Sequence, residues 1–281
     1  MQDENDPYRE FEFPAETEKP KQRFHFVRKL SRKSYKALNL ASPISSILAL
    51  VLTVSAIFLG YPVYKNFSYT DPKHDGYVAP RSPGDIVDIA QRSTVTIICK
   101  VNEDDFLIGS GWAIDLPTSS KAFKTSLITN HHVIKNCIDG KAELIVIDEE
   151  FKEYLAVIDV YDVKNDLAKL SSTVNLEPLQ LSENMPYPGY WVMNYGAADG
   201  WIGSVAFGAV LNFINSEIFI TANTSEGNSG GPLLDNEGKV IGTTSWIKID
   251  EQYNGAKSLD TMCAKILECE FNKGKSYWDQ S

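Results

Sequence analysis

Hydrophobic and polar positions divide the chain into three stretches that follow different rules. The first is one long apolar run. No charged residue falls between Ala37 and Tyr64, and Ile44 to Val63 reads ISSILALVLTVSAIFLGYPV. Twenty residues at ~1.5 Å each span ~30 Å, the thickness of a bilayer's hydrocarbon core. A buried core helix of that length would show a polar face, so residues 44–64 are predicted to be a single transmembrane helix. The second stretch, residues 65–83 (KNFSYTDPKHDGYVAPRSP), has three Pro and no period, which predicts an extended stalk.

The third stretch opens with a helical spacing. Ile86, Val87, Ile89 and Ala90 share one side of a short helix over Gly84–Ser93. Short β-rich runs follow: 94–101, 107–115, 126–134, 143–148, 154–162 and 167–171, then, after a break at Thr173–Pro188, 190–196, 204–215, 217–223 and 239–249. Turn residues separate them, the pattern of barrels or a sandwich, and the break makes two β modules. Leu259, Met262, Ile266 and Leu267 then recur at helical spacing, so a closing helix is predicted over residues 256–271.

Composition excludes a disordered or fibrous chain: 43% of the residues are apolar and 23% charged. The formal net charge of −10 argues against nucleic acid as a partner, because phosphate binding needs a basic field. Charge is unevenly spread. Acids dominate Asp3–Glu18, in a segment of low apolar content that reads as disordered, and bases dominate Lys19–Lys36. Lys21, Arg23, Arg28, Lys29, Arg32, Lys33 and Lys36 precede the apolar run, whereas only Lys65 and Lys73 closely follow it. The positive-inside rule therefore puts residues 1–43 in the cytoplasm and everything after Tyr64 outside. The long apolar run and the long segment before it favour an uncleaved signal anchor over a cleaved signal peptide. Four Cys without a C-x-x-C pair fit an oxidising compartment, with Cys99–Cys137 and Cys263–Cys269 as the expected disulfides. An unbroken helix would hold positions i and i+6 ~9 Å apart along its axis. The second pair therefore requires the closing helix to end or bend before Cys269.

The chemistry concentrates in EGNSGGPLLD (226–235). Gly227, Ser229, Gly230 and Gly231 are small enough for the backbone to fold so that N–H groups converge. Ser229 would be a nucleophile, with the N–H groups of Gly227 and Ser229 as oxyanion hole, and with Gly230 and Gly231 leaving room for a substrate backbone. The same letters satisfy the G-x-S-x-G elbow of α/β-hydrolases, but that fold places its His after the Ser. All four His (His25, His74, His131 and His132) precede Ser229. His25 falls in the cytoplasmic segment and His74 in the stalk, which leaves His131 and His132 as candidates for the base. On a strand the two would point to opposite faces, so only one enters the site. Asp166, in KNDLAKLS, is the leading candidate to orient that base, ahead of Asp159 and Asp162.

The order His, Asp, Ser, carried by TNHHVI, NDLAKL and GNSGGPL, resembles the trypsin-like (chymotrypsin-fold) serine proteases, above all their bacterial HtrA/Deg branch. In that branch the His motif runs T-N-x-H-V, matched by Thr129, Asn130, His131, His132 and Val133, so the resemblance selects His132. GSGWAID (109–115) and PGYWVMNYG (188–196) match as well, and the likeness extends over roughly residues 84–250. It implies an all-β fold of two six-stranded barrels, about 84–175 and 184–250, with the C-terminal helix after them in a protease domain over 84–281. It implies a serine endopeptidase with His132, Asp166 and Ser229 as triad, acting on proteins or peptides and needing no metal or cofactor. It assigns no oligomeric state. Ser245 and Trp246 resemble the strand that pairs with substrate backbone, but Ile247 replaces its Gly and so narrows the pocket. Asn223, six residues before Ser229, stands where trypsin has Asp, so no preference for basic residues is expected. The 281 residues leave no room for a PDZ domain after the protease, so HtrA-style allosteric activation is not expected. Asn66 and Asn223 match glycosylation sequons. A sugar at Asn223 would crowd the site, which favours a bacterial source. The rival reading is a non-catalytic peptide-binding or regulatory relative. Loss of a triad residue would mark it, and none is lost.

Overall fold

The structure is a computed structural model that describes residues 50–55, 75–140, 142–248, 253–267, 269 and 276–280. The chain divides into two units, Met1–Ser68 and Tyr69–Ser281. In the first, residues 50–55 are helical, with Leu50, Val51 and Leu52 exposed. No helix among the described residues is long and apolar enough to cross a membrane. The remainder of the expected span, the charged segments before it and residues 65–74 lie outside the described residues.

The second unit begins with α1 (Pro83–Ser93), which buries Ile86 and Ala90. Six strands follow: β1 (Thr94–Lys100), β2 (Phe106–Ile114), β3 (Thr125–Thr129), β4 (Glu143–Ile147), β5 (Glu153–Asp162) and β6 (Leu167–Ser172). A helical turn, α2 (His131–Ile134), comes directly after β3. Six more strands follow: β7 (Trp191–Gly196), β8 (Ser204–Ile214), β9 (Glu217–Ile220), β10 (Pro232–Leu234), β11 (Val240–Lys248) and β12 (Tyr253–Ser258). Each set closes an antiparallel barrel, in the orders β1-β2-β3-β6-β5-β4 and β10-β11-β12-β9-β8-β7. Closure gives every strand a neighbour on both sides, although β10 pairs β11 only over Val240–Thr243 and leaves the later part of β11 without a partner on that side.

Three cores follow from strand alternation. Val95, Ile97, Leu127, Val146 and Leu170 fill the first barrel, and Val192, Ile218, Ile220, Leu233 and Ile241 fill the second. Residues on the opposite faces of the same strands, among them Trp112, Ile128, Leu167, Met193 and Leu234, pack with α1 and with Leu259 and Met262. Trp112 is fully buried, and its indole N–H donates to Thr243 Oγ1 across 3.0 Å, joining β2 of one barrel to β11 of the other. Burying side chains of this size contributes about 1.5–3 kcal/mol each. The two barrels are thereby held against each other.

Three expectations need correction. The closing helix does not begin at Ala256. That residue is buried in β12, opposite Thr244 of β11 and Ile218 of β9, and the helix starts at α3 (Leu259–Met262). The expected stalk is docked at its described end: Trp191 N–H donates to Gly76 O at 2.8 Å, Asn236 Nδ2 donates to Asp75 O and Val78 O, and Tyr77 meets Tyr190 edge to face. The run 126–134 is a strand only to Thr129 and then turns helical. Both disulfides are present, Cys99–Cys137 with Cα atoms 5.8 Å apart and Cys263–Cys269 with Cα atoms 4.9 Å apart. The second closes because the chain widens into a π-turn over Cys263–Leu267, which breaks the helical rise as the spacing required.

Candidate active site

His131 and His132 open α2, and the preceding Asn130 is extended. They diverge because they sit on a helical turn and not, as expected, on a strand. The His131 ring lies 5.5 Å from that of Tyr161. His132 turns towards Asp166, whose Oδ1 accepts the His132 backbone N–H at 2.9 Å and whose Oδ2 lies 2.8 Å from Nδ1. An ionised carboxylate can only accept, so Nδ1 carries a proton and points it at Asp166.

Asp166 stands just before β6 in the left-handed region, at φ 55°, a conformation that Asp tolerates better than most residues. A turn closed by Asn165 on Asp162 leads into it. Asn130, fully buried, holds it from the other side by donating Nδ2 to Asp166 O at 2.7 Å. Ser245 Oγ donates to Asp166 Oδ2 at 2.7 Å, so the side chain expected near substrate backbone is engaged with this carboxylate. Burial pushes the Asp166 carboxyl up, but the hydrogen bond from His132, its charge and the bond from Ser245 outweigh that and hold it below the usual carboxylate range.

Ser229 is half-buried. With His132, Gly227, Glu226, Asp199, Gly200 and Phe106–Ile108 it lines a cleft of about 670 Å³ between the barrels. Its loop is pinned by its own backbone. Asn228 N–H donates to Ser225 O, Gly231 N–H to Asn228 O and Gly230 N–H to Thr244 O, while Ser229 O accepts from Ser110 N–H of β2 at 2.7 Å. Among the described residues the N–H groups of Gly227 and Ser229 have no acceptor, and these are the two expected at the oxyanion hole. Gly230 and Gly231 do not leave space for substrate. A Cβ on Gly230 would stand 2.2 Å from Ser110 O, and one on Gly231 2.2 Å from Tyr195 O, so both glycines admit the protein's own backbone.

Asn223 is exposed and does not line the cleft. Trp246 lies over Gly255, with its ring against those of Phe219 and Tyr253. The sequence reading missed Ser110, Asn130 and Asp199 as parts of the site. Asn130 was visible within TNHHVI, but its hydrogen bond to a residue 36 positions away was not.

Residues 109–242 match the family model of the trypsin-like peptidase domain. Over that span the chain is similar to trypsin-like peptidases. Over 135 residues it is 30% identical to a probable periplasmic serine endoprotease DegP-like of Marinomonas sp., covering 43% of this chain and 27% of the relative. A protein of the same description from Halomonas elongata is 33% identical over 132 residues, covering 43% of this chain and 27% of its own. The chain therefore spans about a quarter of the length of the curated relatives it matches. Among solved structures, a serine endoprotease from Yersinia pestis superposes with TM-score 0.57 at 22% identity, over 68% of this chain and 67% of that one. A protease of M. tuberculosis in its active form gives TM-score 0.57 at 20% identity, over 70% of this chain and 90% of that one. At these identities the structural likeness speaks for the fold alone.

Proposed function

We propose that the chain is a membrane-anchored serine endopeptidase that hydrolyses peptide bonds outside the cytoplasmic membrane. The observation that carries the reading is the convergence on one cleft of Ser229, of His132 with Asp166 on its Nδ1, and of two N–H groups that have no acceptor among the described residues. Ser229 Oγ attacks the scissile carbonyl carbon while His132 Nε2 takes its proton. The oxyanion accepts from the N–H groups of Gly227 and Ser229. Collapse of the tetrahedral adduct breaks the C–N bond, and His132 returns the proton to the leaving amine. Water, deprotonated by His132, then hydrolyses the acyl-enzyme and frees Ser229. Asp166 keeps the imidazole in one tautomer and stabilises its charged form. Ser245 acts through Asp166, and the strand bearing Ser245 and Trp246 offers backbone to an extended protein or peptide substrate.

The anchor belongs to the same proposal. Residues 1–43 are cytoplasmic, residues 44–64 span the bilayer, residues 65–83 connect, and residues 84–281 form the protease domain outside. What supports this is the uncharged apolar run, the basic flank before it, and the word "periplasmic" in the relatives' descriptions. A fluorophosphonate probe tests the chemistry: it should label the protein at Ser229 and leave Ser229→Ala unlabelled. Absence of labelling in a folded, disulfide-bonded protein overturns the catalytic reading. Protease added to intact cells tests the topology by digesting the region after residue 64 while a tag at Met1 stays protected. An accessible tag reverses the orientation.

A further inference from the structure

The Glu226–Gly227 peptide decides whether one of the two free N–H groups can serve an oxyanion. We propose that Asp199 sets the orientation of this peptide through its own backbone N–H, as a positioning residue for the Gly227 donor. The proposal rests on the peptidase reading above.

Glu226 C=O and Gly227 N–H belong to one planar trans peptide and point in opposite directions. Asp199 N–H donates to Glu226 O at 2.6 Å, from the turn Ala197–Gly200. With the carbonyl held there, the Gly227 N–H is turned the other way, on the residue that lines the cleft beside Ser229. Gly227 cannot hold this orientation by itself. Its φ is 92°, and a Cβ on it would stand 2.1 Å from Ala197 O, so only glycine fits against the turn. Glycine is also the residue that opposes a reversed peptide least. The constraint therefore has to come from a partner, and Asp199 supplies it.

The turn that presents the Asp199 N–H is itself constrained. Asp199 is left-handed at φ 50°, and Gly200 N–H and Trp201 N–H close on Ala197 O and Ala198 O at 2.9 and 2.8 Å. At its base, Ala197 N–H donates to Ser110 Oγ at 3.0 Å, and the same hydroxyl donates to Gly227 O at 2.8 Å. Gly227 is thus tied on both sides, its preceding peptide to Asp199 and its following peptide to Ser110. Ser110 is fully buried on β2 of the first barrel. The donor geometry therefore depends on the two barrels being docked, and not on the nucleophile loop alone.

Asp199→Pro removes the N–H and cannot adopt a positive φ. In the full-length protein kcat should fall at least about tenfold, towards the about 10²–10³ that loss of one oxyanion donor costs. KM for a peptide substrate should change by less than about threefold, the split expected of an interaction made only in the transition state. Affinity for a peptidyl boronic acid, which adds to Ser229 as a tetrahedral anion, should fall in step with kcat. Asp199→Asn keeps the N–H and tolerates the left-handed conformation, so it should lose far less than the proline variant on both readouts. An α-hydroxy acid at position 199 turns the amide into an ester, which removes the N–H, keeps the side chain and the left-handed conformation, and weakens Ala198 O as the acceptor of Trp201 N–H. It should reproduce the proline result and decides the question where the proline variant does not fold. Wild-type kcat and boronate affinity in the proline or ester variant overturn the proposal. So does an Asp199→Asn loss equal to that of proline, which would put the effect in the carboxylate. Wild-type protein that neither hydrolyses peptides nor takes fluorophosphonate instead overturns the peptidase reading beneath it.

Discussion

The two disulfides make a quantitative contrast. Cys99 on β1 and Cys137, five residues beyond His132, close a loop with a separation of 38, whereas Cys263 and Cys269 are separated by 6. In the chain-entropy model the first bond stabilises by about 3.9 kcal/mol and the second by about 2.2 kcal/mol, because a longer loop removes more freedom from the unfolded chain. For a domain of roughly 200 residues each kcal/mol moves the melting midpoint by about 2–4 °C. Cys99→Ala/Cys137→Ala should therefore lower Tm by about 8–16 °C, and Cys263→Ala/Cys269→Ala by about 4–9 °C. Differential scanning calorimetry of the two variants beside the wild type measures both shifts under one set of conditions. The first bond also clamps the segment after α2 onto β1, so its loss should lower kcat as His132 gains freedom. The second pair lies on the far side of α3 from that segment in sequence and should lower activity less. The reasoning is refuted if the long-loop variant melts no lower than the short-loop one, or if it loses stability while kcat stays at the wild-type value.

Further outcomes are as definite. On the triad reading, Ser229→Ala, His132→Ala and Asp166→Asn each remove most hydrolysis, and pairs of them lose no more than the singles because the three act as one unit. His131→Ala, whose ring rests on Tyr161, keeps most of the activity in the same peptide assay, and an inactive His131→Ala with an active His132→Ala reverses the assignment of the base. Asn130→Ala strips the part-buried Asp166 carbonyl of its donor and should cost about 0.5–1.5 kcal/mol in urea denaturation, with kcat falling more than KM rises. The Asp166 carboxyl is depressed in the fold, so its stabilising contribution is fully present above the unfolded value of about 3.9 and is lost as pH falls through the lower folded value. Acid unfolding followed by circular dichroism should accordingly lose part of its pH dependence in that window in Asp166→Asn.

Much was legible in the order and period of the residues. Ten of the twelve strands among the described residues were visible because β-branched and aromatic residues recur between turn residues there, and local period is written into the chain itself. Ser229 and Asp166 could be put forward because few residue types supply a nucleophile and an orienting carboxylate, and the order of the His and Ser excluded the competing elbow fold, but the residues left His131 and His132 both open, and only the resemblance of TNHHVI to the family's motif chose His132. The cysteine spacings foretold both disulfides and the break in the closing helix. Other features came only with tertiary pairing. Pro232–Leu234 is too short to show a period, and Tyr253–Ser258 has no β-branched residue until its neighbours are counted: β11 pairs with both and makes them strands. Gly230 and Gly231 looked like room for a substrate, but they are where Ser110 O and Tyr195 O approach. Ser110 meets Gly227 across 117 residues, and Ser245 meets Asp166 across 79. Such contacts were decided by the tertiary structure alone, because residues 79 or 117 positions apart leave no local period or spacing that would show them meeting.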